Sequence, residues 1–234
     1  MRKKSSILKK VIKFIIFLII LFFIFNNLMK MDILNKYKVN IGDDTNKNYS
    51  EEGKTKIEGK DGYQTVFKSE NRTYNEYKQN EIASWAQNSY WGGTMEENGC
   101  GITAMSIILS GYGIKETPED LRKKYFPHLD GEDICKELKG YGIDNSDFVF
   151  STVYFSKSKI IKHLEKDKPI LICVWDKPDL RWTEKSHYMV LLATDGKNKV
   201  YVSNPNGTKY ESPSGWYETG EILPYIAKAL FIEE

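Results

Sequence analysis

Apolar positions are distributed unevenly along the 234 residues, and their spacing divides the chain into three parts. Residues 14–25 form an unbroken apolar run of 12, within a stretch of 19 (residues 11–29) interrupted only by Lys13, Asn26 and Asn27. That length is close to the roughly 17–25 residues needed to cross a bilayer, and Lys13 can snorkel to the headgroups. Residues 31–75 are rich in Lys, Asn, Asp, Glu, Gly and Ser and carry few apolar positions. Such a composition buries too little surface to fold alone, so a polar flexible tether is expected there. From about Tyr74 the pattern becomes that of a folded domain, placed at residues 76–234 behind an anchor or signal segment at 1–30.

Within the domain, helical signals come first and strand signals later. Gly99-Cys100-Gly101 leads directly into an apolar stretch from Ile102 to position 109, which predicts a buried helix starting at Cys100 and ending at Gly111 or Gly113. Thr117-Pro118-Glu119-Asp120 supplies an N-cap, a first-position proline and early acids for a helix running through Tyr125. Shorter helices are expected at 132–138, closed by Gly140, and at 157–165, capped by Ser156. Pro169 then begins a strand that contains Cys173, followed by strands at 187–194 and 197–204, a helix near 222–228 and a terminal strand near 230–232. A helical half packed on an antiparallel sheet makes an α+β protein.

Asp195-Gly196 lies between the strands at 187–194 and 197–204, and is a dipeptide favoured in two-residue type I′ hairpins. If these residues form the loop, Thr194 pairs with Lys197 and His187 stands opposite Asn204. Directly opposed residues point to one face with Cβ atoms about 4.5–5.5 Å apart, so the Asn204 amide would reach the His187 ring. Moving the loop one residue on, to Gly196-Lys197, places Asn206 opposite His187 instead.

Charge sets an orientation. The net charge is +2, but without the six basic residues before position 14 the chain holds 28 basic and 32 acidic side chains, a net of −4. The positive-inside rule then puts the N-terminus in the cytoplasm and the domain outside a cell membrane crossed once. Small residues of the kind found at signal cleavage sites are missing from 26–31, which favours an uncleaved anchor over a secreted form. The basic cluster is short, flanks a membrane segment and has no interleaved aromatics, which argues against nucleic acid as a partner.

Three cysteines, Cys100, Cys135 and Cys173, are an odd number for an exported chain. Two of them could pair, or Cys135 and Cys173 could both be reduced and buried, which their apolar surroundings favour. No Cys/His spacing suits zinc, so no metal or other cofactor is expected. At the start of a helix, unpaired N–H groups and the helix dipole favour thiolate over thiol. His187 and Asn204 then supply a base and an orienting group, in the order Cys, His, Asn.

The marks Gln79, Trp85-Ala86, Asn98-Gly99-Cys100-Gly101-Ile102-Thr103-Ala104, Thr117-Pro118, Ser186-His187-Tyr188-Met189-Val190-Leu191 and Asn204-Pro205-Asn206-Gly207 follow one another over residues 77–234. In this they resemble the papain-like cysteine peptidases related to the bacteriocin-leader (double-glycine) processing peptidases, in particular their stand-alone exported relatives. The resemblance implies a papain-like fold, a peptide or protein substrate, a monomer, Cys100 as nucleophile, His187 as general base and acid, and Asn204 as the orienting residue. In the classical leader-processing enzymes the oxyanion-hole glutamine lies a few residues before the cysteine, where this chain has Thr94. Gln79 is therefore the candidate, with Gln87 as fallback. No transporter segment accompanies the domain. Two other readings remain: a peptidoglycan amidase or endopeptidase, and a catalytically silent binding module of the same fold.

Overall fold

The computed structural model describes residues 54–56, 63–80, 83–150, 156–175, 181–206 and 212–233, all within the unit Tyr49–Glu234. The apolar run at 14–25 lies outside the described residues, as does the expected tether through residue 53. Among the described residues no helix is long and apolar enough to cross a membrane.

The fold begins earlier than position 76. Strands β1 (Lys54–Lys56), β2 (Tyr63–Lys68) and β3 (Thr73–Tyr77) form an antiparallel sheet. Reading the whole of 31–75 as a tether is therefore corrected: Phe67 and Tyr74 are fully buried, and Phe67 stacks on Tyr201 at 3.8 Å. Two isolated aromatics in a polar stretch are enough for a strand when a tertiary partner covers them.

A small hairpin, β4 (Ser89–Tyr90) and β5 (Gly93–Thr94), leads into the one-turn helix α1 (Met95–Asn98). Thr94 caps α1 by accepting the Glu97 N–H, and the Glu97 carboxylate accepts the Thr94 N–H. Thr94 thus has a structural task. Helix α2 (Cys100–Gly111) follows after Gly99 alone. A Cβ at Gly99 would lie 2.5 Å from the Met95 carbonyl oxygen, so only glycine permits the chain to turn from one helix into the next and set Cys100 at a helix start.

Helices α3 (Pro118–Lys124) and α4 (Asp133–Gly140) cover α2. Thr117 caps α3 with its hydroxyl accepting from the Asp120 N–H, as its sequence predicts. After strand β6 (Val149–Phe150), helix α5 (Lys157–Leu164) is capped by Ser156. Strands β7 (Ile170–Val174), β8 (His187–Thr194), β9 (Lys199–Ser203) and β10 (Gly215–Glu218) then alternate in direction. Helix α6 (Thr219–Ile222) and a 3₁₀ turn (Leu223–Tyr225) precede strand β11 (Ile226–Phe231). The helix expected at 222–228 is accordingly a strand from Ile226 onward. Its backbone pairs with β7 from Val174 to Ile170, and that ladder overrides a local pattern too short to separate the two periods.

The main sheet has the order β10-β9-β8-β7-β11-β6, antiparallel throughout. Both of its faces are covered. Leu171, Val190, Leu192, Tyr201 and Leu230 pack with the α2 side, whereas Ile172, Val174, Met189, Leu191 and Val202 pack with Ile160, Ile161 and Leu164 of α5. This explains why β7 reads as a continuous apolar run rather than an alternating one.

Candidate active site

The β8–β9 connection is longer than the Asp195-Gly196 hairpin read from sequence. The Asp195 carboxylate accepts from the N–H groups of Lys197, Asn198 and Lys199 at 2.8–2.9 Å, which holds the loop open to four residues. Val190 then pairs with Ser203 and Leu191 with Val202, with an irregularity between Leu191 and Ala193. This register places position 206, not 204, across from His187. The direct pairing of His187 with Asn204 is corrected, yet the side chains meet: His187 Nε2 lies 2.8 Å from Asn204 Oδ1. Asn204 sits just beyond β9 and folds back toward the ring.

The hydrogen bonds around Asn204 define its amide. Nδ2 donates to the Ser212 carbonyl at 2.7 Å, and Oδ1 accepts the Asn206 N–H at 2.9 Å. Oδ1 is therefore the atom facing His187, and an acceptor there requires the ring's Nε2 to carry the proton. Nδ1 of neutral His187 then holds the free lone pair, which is the state of a general base.

Residues at 78–80 strap this corner in place, and no sequence signal pointed to most of them. Lys78 Nζ donates to the Asn204 carbonyl and to Ser214 Oγ, each at 2.8 Å, while Ser214 Oγ also accepts the Asn204 N–H. The Gln79 N–H donates to the Pro205 carbonyl and Asn80 Nδ2 to the Asn206 carbonyl. Such contacts act on backbone atoms, so residue type alone does not reveal them.

Cys100 and His187 line one open cleft of about 650 Å³. The Cys100 thiol faces the backbone N–H groups of Tyr188, Gly101 and Cys100 itself, all of which favour its anion, but burial is larger and pushes the thiol up. Burial, reinforced by the Lys78 charge and opposed by Asn204, holds His187 down at about 4. Burial thus opposes the resting thiolate–imidazolium pair that the helix start alone suggests. Desolvation disfavours the charged form of both groups.

Gln79 is buried, and its Nε2 donates to the Glu96 carbonyl at 2.8 Å, which leaves its second N–H for another acceptor. Gln87 is exposed and its amide is tied to the Glu96 carboxylate. Asn98, two residues before Cys100, lines the cleft and donates to the carbonyls of Tyr90 and Trp91. All three cysteines are free thiols. Cys173 is buried in β7 and is among the residues lining the cleft, while Cys135 lies 2.8 Å from Asn145 Oδ1.

The depressed imidazole couples the site to folding. Between pH 6.5 and 4 an unfolded His187 binds a proton that the folded one refuses, so stability falls as pH drops through that window. A shift of this size corresponds to about 3 kcal/mol, fully lost below pH 4. Urea midpoints at pH 7 and pH 4.5 are expected to differ more for the wild type than for His187→Gln. Equal differences would show that the ring is not buried as neutral imidazole.

A family model, described as the Peptidase_C39 like family, matches residues 77–222. The matched span contains Gln79, Cys100, His187 and Asn204. No curated protein matches the chain.

Proposed function

Because the chain belongs to the Peptidase_C39 like family and so has the papain-like α+β fold of a cysteine peptidase family, we propose that it hydrolyses peptide bonds through Cys100, His187 and Asn204. The observation that carries this reading is the 2.8 Å contact that leaves His187 Nδ1 as the unprotonated nitrogen in the cleft it shares with Cys100. The substrate is a peptide or protein. Residues 14–25 anchor the chain in the membrane, with the N-terminus in the cytoplasm and the domain outside.

From a neutral resting pair, proton transfer and attack occur together. Nδ1 takes the thiol proton as the sulfur bonds to the carbonyl carbon, and the π electrons move to the oxygen. The Cys100 N–H and the second Nε2–H of Gln79 receive that oxyanion, each such donor being worth about 3–4 kcal/mol where measured. The amine leaves with the proton from Nδ1, and a thioester remains. Water then attacks the thioester carbonyl, gives its proton to Nδ1, and the sulfur departs to recover the thiol. None of these steps requires a cofactor.

The test is incubation of the full-length protein with reduced casein, with new N-termini identified by mass spectrometry. New termini made by the wild type and lost in Cys100→Ala support the proposal. No new termini with the wild type, or the same termini with Cys100→Ala, would overturn it in favour of a silent binding module.

A further inference from the structure

Four large apolar side chains are strongly exposed among the described residues: Trp91 (48%), Phe126 (60%), Phe150 (54%) and Trp175 (61%). Three of them, all except Phe126, line the cleft that holds Cys100. Exposed single aromatics are ordinary on a protein surface, but three collected at one concavity are a mark of recognition.

Each of the three is held by its backbone or its neighbours. Trp91 occupies the two-residue turn between β4 and β5 at φ +50°, a conformation unusual for a bulky residue. Its N–H donates to the Pro127 carbonyl, and its indole stacks on the His128 ring at 4.8 Å and 15°. Strain of this kind persists where surrounding contacts require it, and here it presents a ring at the cleft edge. Trp175 follows β7 directly and is pinned by its N–H to the Tyr225 carbonyl. Phe150 lies across from Lys228 of β11, whose ammonium sits 5.7 Å from the Phe150 ring. Trp91 belongs to the helical wall, with Glu96 and Asn98, whereas Phe150 and Trp175 belong to the sheet wall.

We propose that this cleft selects peptides bearing large apolar side chains, aromatic ones above all, seated against Trp91 on one wall and against Phe150 and Trp175 on the other. The inference rests on the peptidase reading only for the identity of the ligand as a peptide. Pre-ordered aromatic surfaces lose little conformational freedom on binding and bury large apolar area, so they discriminate by ring and chain size. Polar residues, Lys185 and Ser186 among them, also line the cleft.

The experiment uses full-length Cys100→Ala and fluorescein-labelled peptides on an alanine-serine host, with and without phenylalanine or tryptophan at successive positions. Fluorescence anisotropy is expected to show aromatic peptides binding roughly tenfold or more tightly than the host. Trp175→Ala and Phe150→Ala remove most of that preference, as does Trp91→Asn, a residue that tolerates the positive φ. Phe126→Ala, which removes an exposed ring outside the cleft, leaves the preference unchanged. Equal binding of aromatic and host peptides, or an equal loss in Phe126→Ala, overturns the proposal. Aromatic selection by a wild type that never cleaves would leave this inference standing and sink the peptidase reading, and cleavage without aromatic selection would do the reverse.

Discussion

Replacing His187 by alanine is expected to lower kcat/KM by roughly four orders of magnitude, the scale seen when a base is lost or held in the wrong tautomer. The burden on this residue is large because burial opposes ionisation of the thiol in advance of attack. Burial pushes the Cys100 thiol up, so in the proposed mechanism the attacking sulfur depends on a base that removes its proton during attack. The same electrostatics predict the pH profile. With His187 held at about 4, the acid limb of kcat/KM lies near pH 4 rather than near the ordinary histidine value. Lys78 is one cause of that depression, so Lys78→Met is expected to move the acid limb upward. Asn204→Ala, which frees the tautomer but keeps the ring, is expected to cost less than His187→Ala. Rates in His187→Ala within a few-fold of the wild type would remove the histidine from the mechanism.

Local chemistry made much of the helical half legible. Glycines on both sides of Cys100 placed the start of α2, the Thr117-Pro118 pair placed α3, and Ser156 placed α5, because caps act within a few residues of themselves. Strand β8 runs from His187 to Thr194 as its apolar run indicates. What depended on distant partners was not legible. Strands β2 and β3 are polar apart from residues such as Phe67 and Tyr74, whose covering comes from Tyr201 and α2. At Ile226 an apolar stretch of ambiguous period became a strand because β7 offered an unpaired edge. The turn at Asp195 shifted the register because one carboxylate collected three amides, an effect that dipeptide preferences do not contain. At the site, the residue types of Cys100, His187 and Asn204 could be read from order and spacing. Their protonation could not, since a helix start argues for thiolate while burial, visible only in the fold, argues more strongly for thiol.

Phe67→Ala is expected to destabilise the domain by about 3–5 kcal/mol, the usual cost of emptying a buried aromatic site. Phe67 is 1% exposed and sandwiched against Tyr201, with the Trp216 ring 6.3 Å away, so the ring's removal leaves a hole between the first sheet and the main one. Tyr74 is the direct partner of Phe67 across β2 and β3 and is buried on the same face, where Gly111 makes room for it: a Cβ at Gly111 would stand 2.1 Å from the Tyr74 ring. Around these rings the strand is tied by polar contacts. The Asn75 N–H donates to Ser110 Oγ of α2, the Asn71 N–H to the Asp167 carboxylate, and buried Glu76 accepts from Tyr201, Ser203 and Thr65. A chain shortened to begin at residue 76 loses both rings, the first two of these ties and the Thr65 hydroxyl on Glu76, and leaves Tyr201 uncovered. Set against a typical total stability of about 5–15 kcal/mol, that loss is expected to abolish cooperative unfolding in urea. It would also loosen Lys78 and Gln79, which continue directly from β3 and hold the Asn204 corner. A shortened chain with an unchanged urea midpoint would show instead that β1–β3 are an appendage, and that the strap at 78–80 is fixed by the rest of the fold alone.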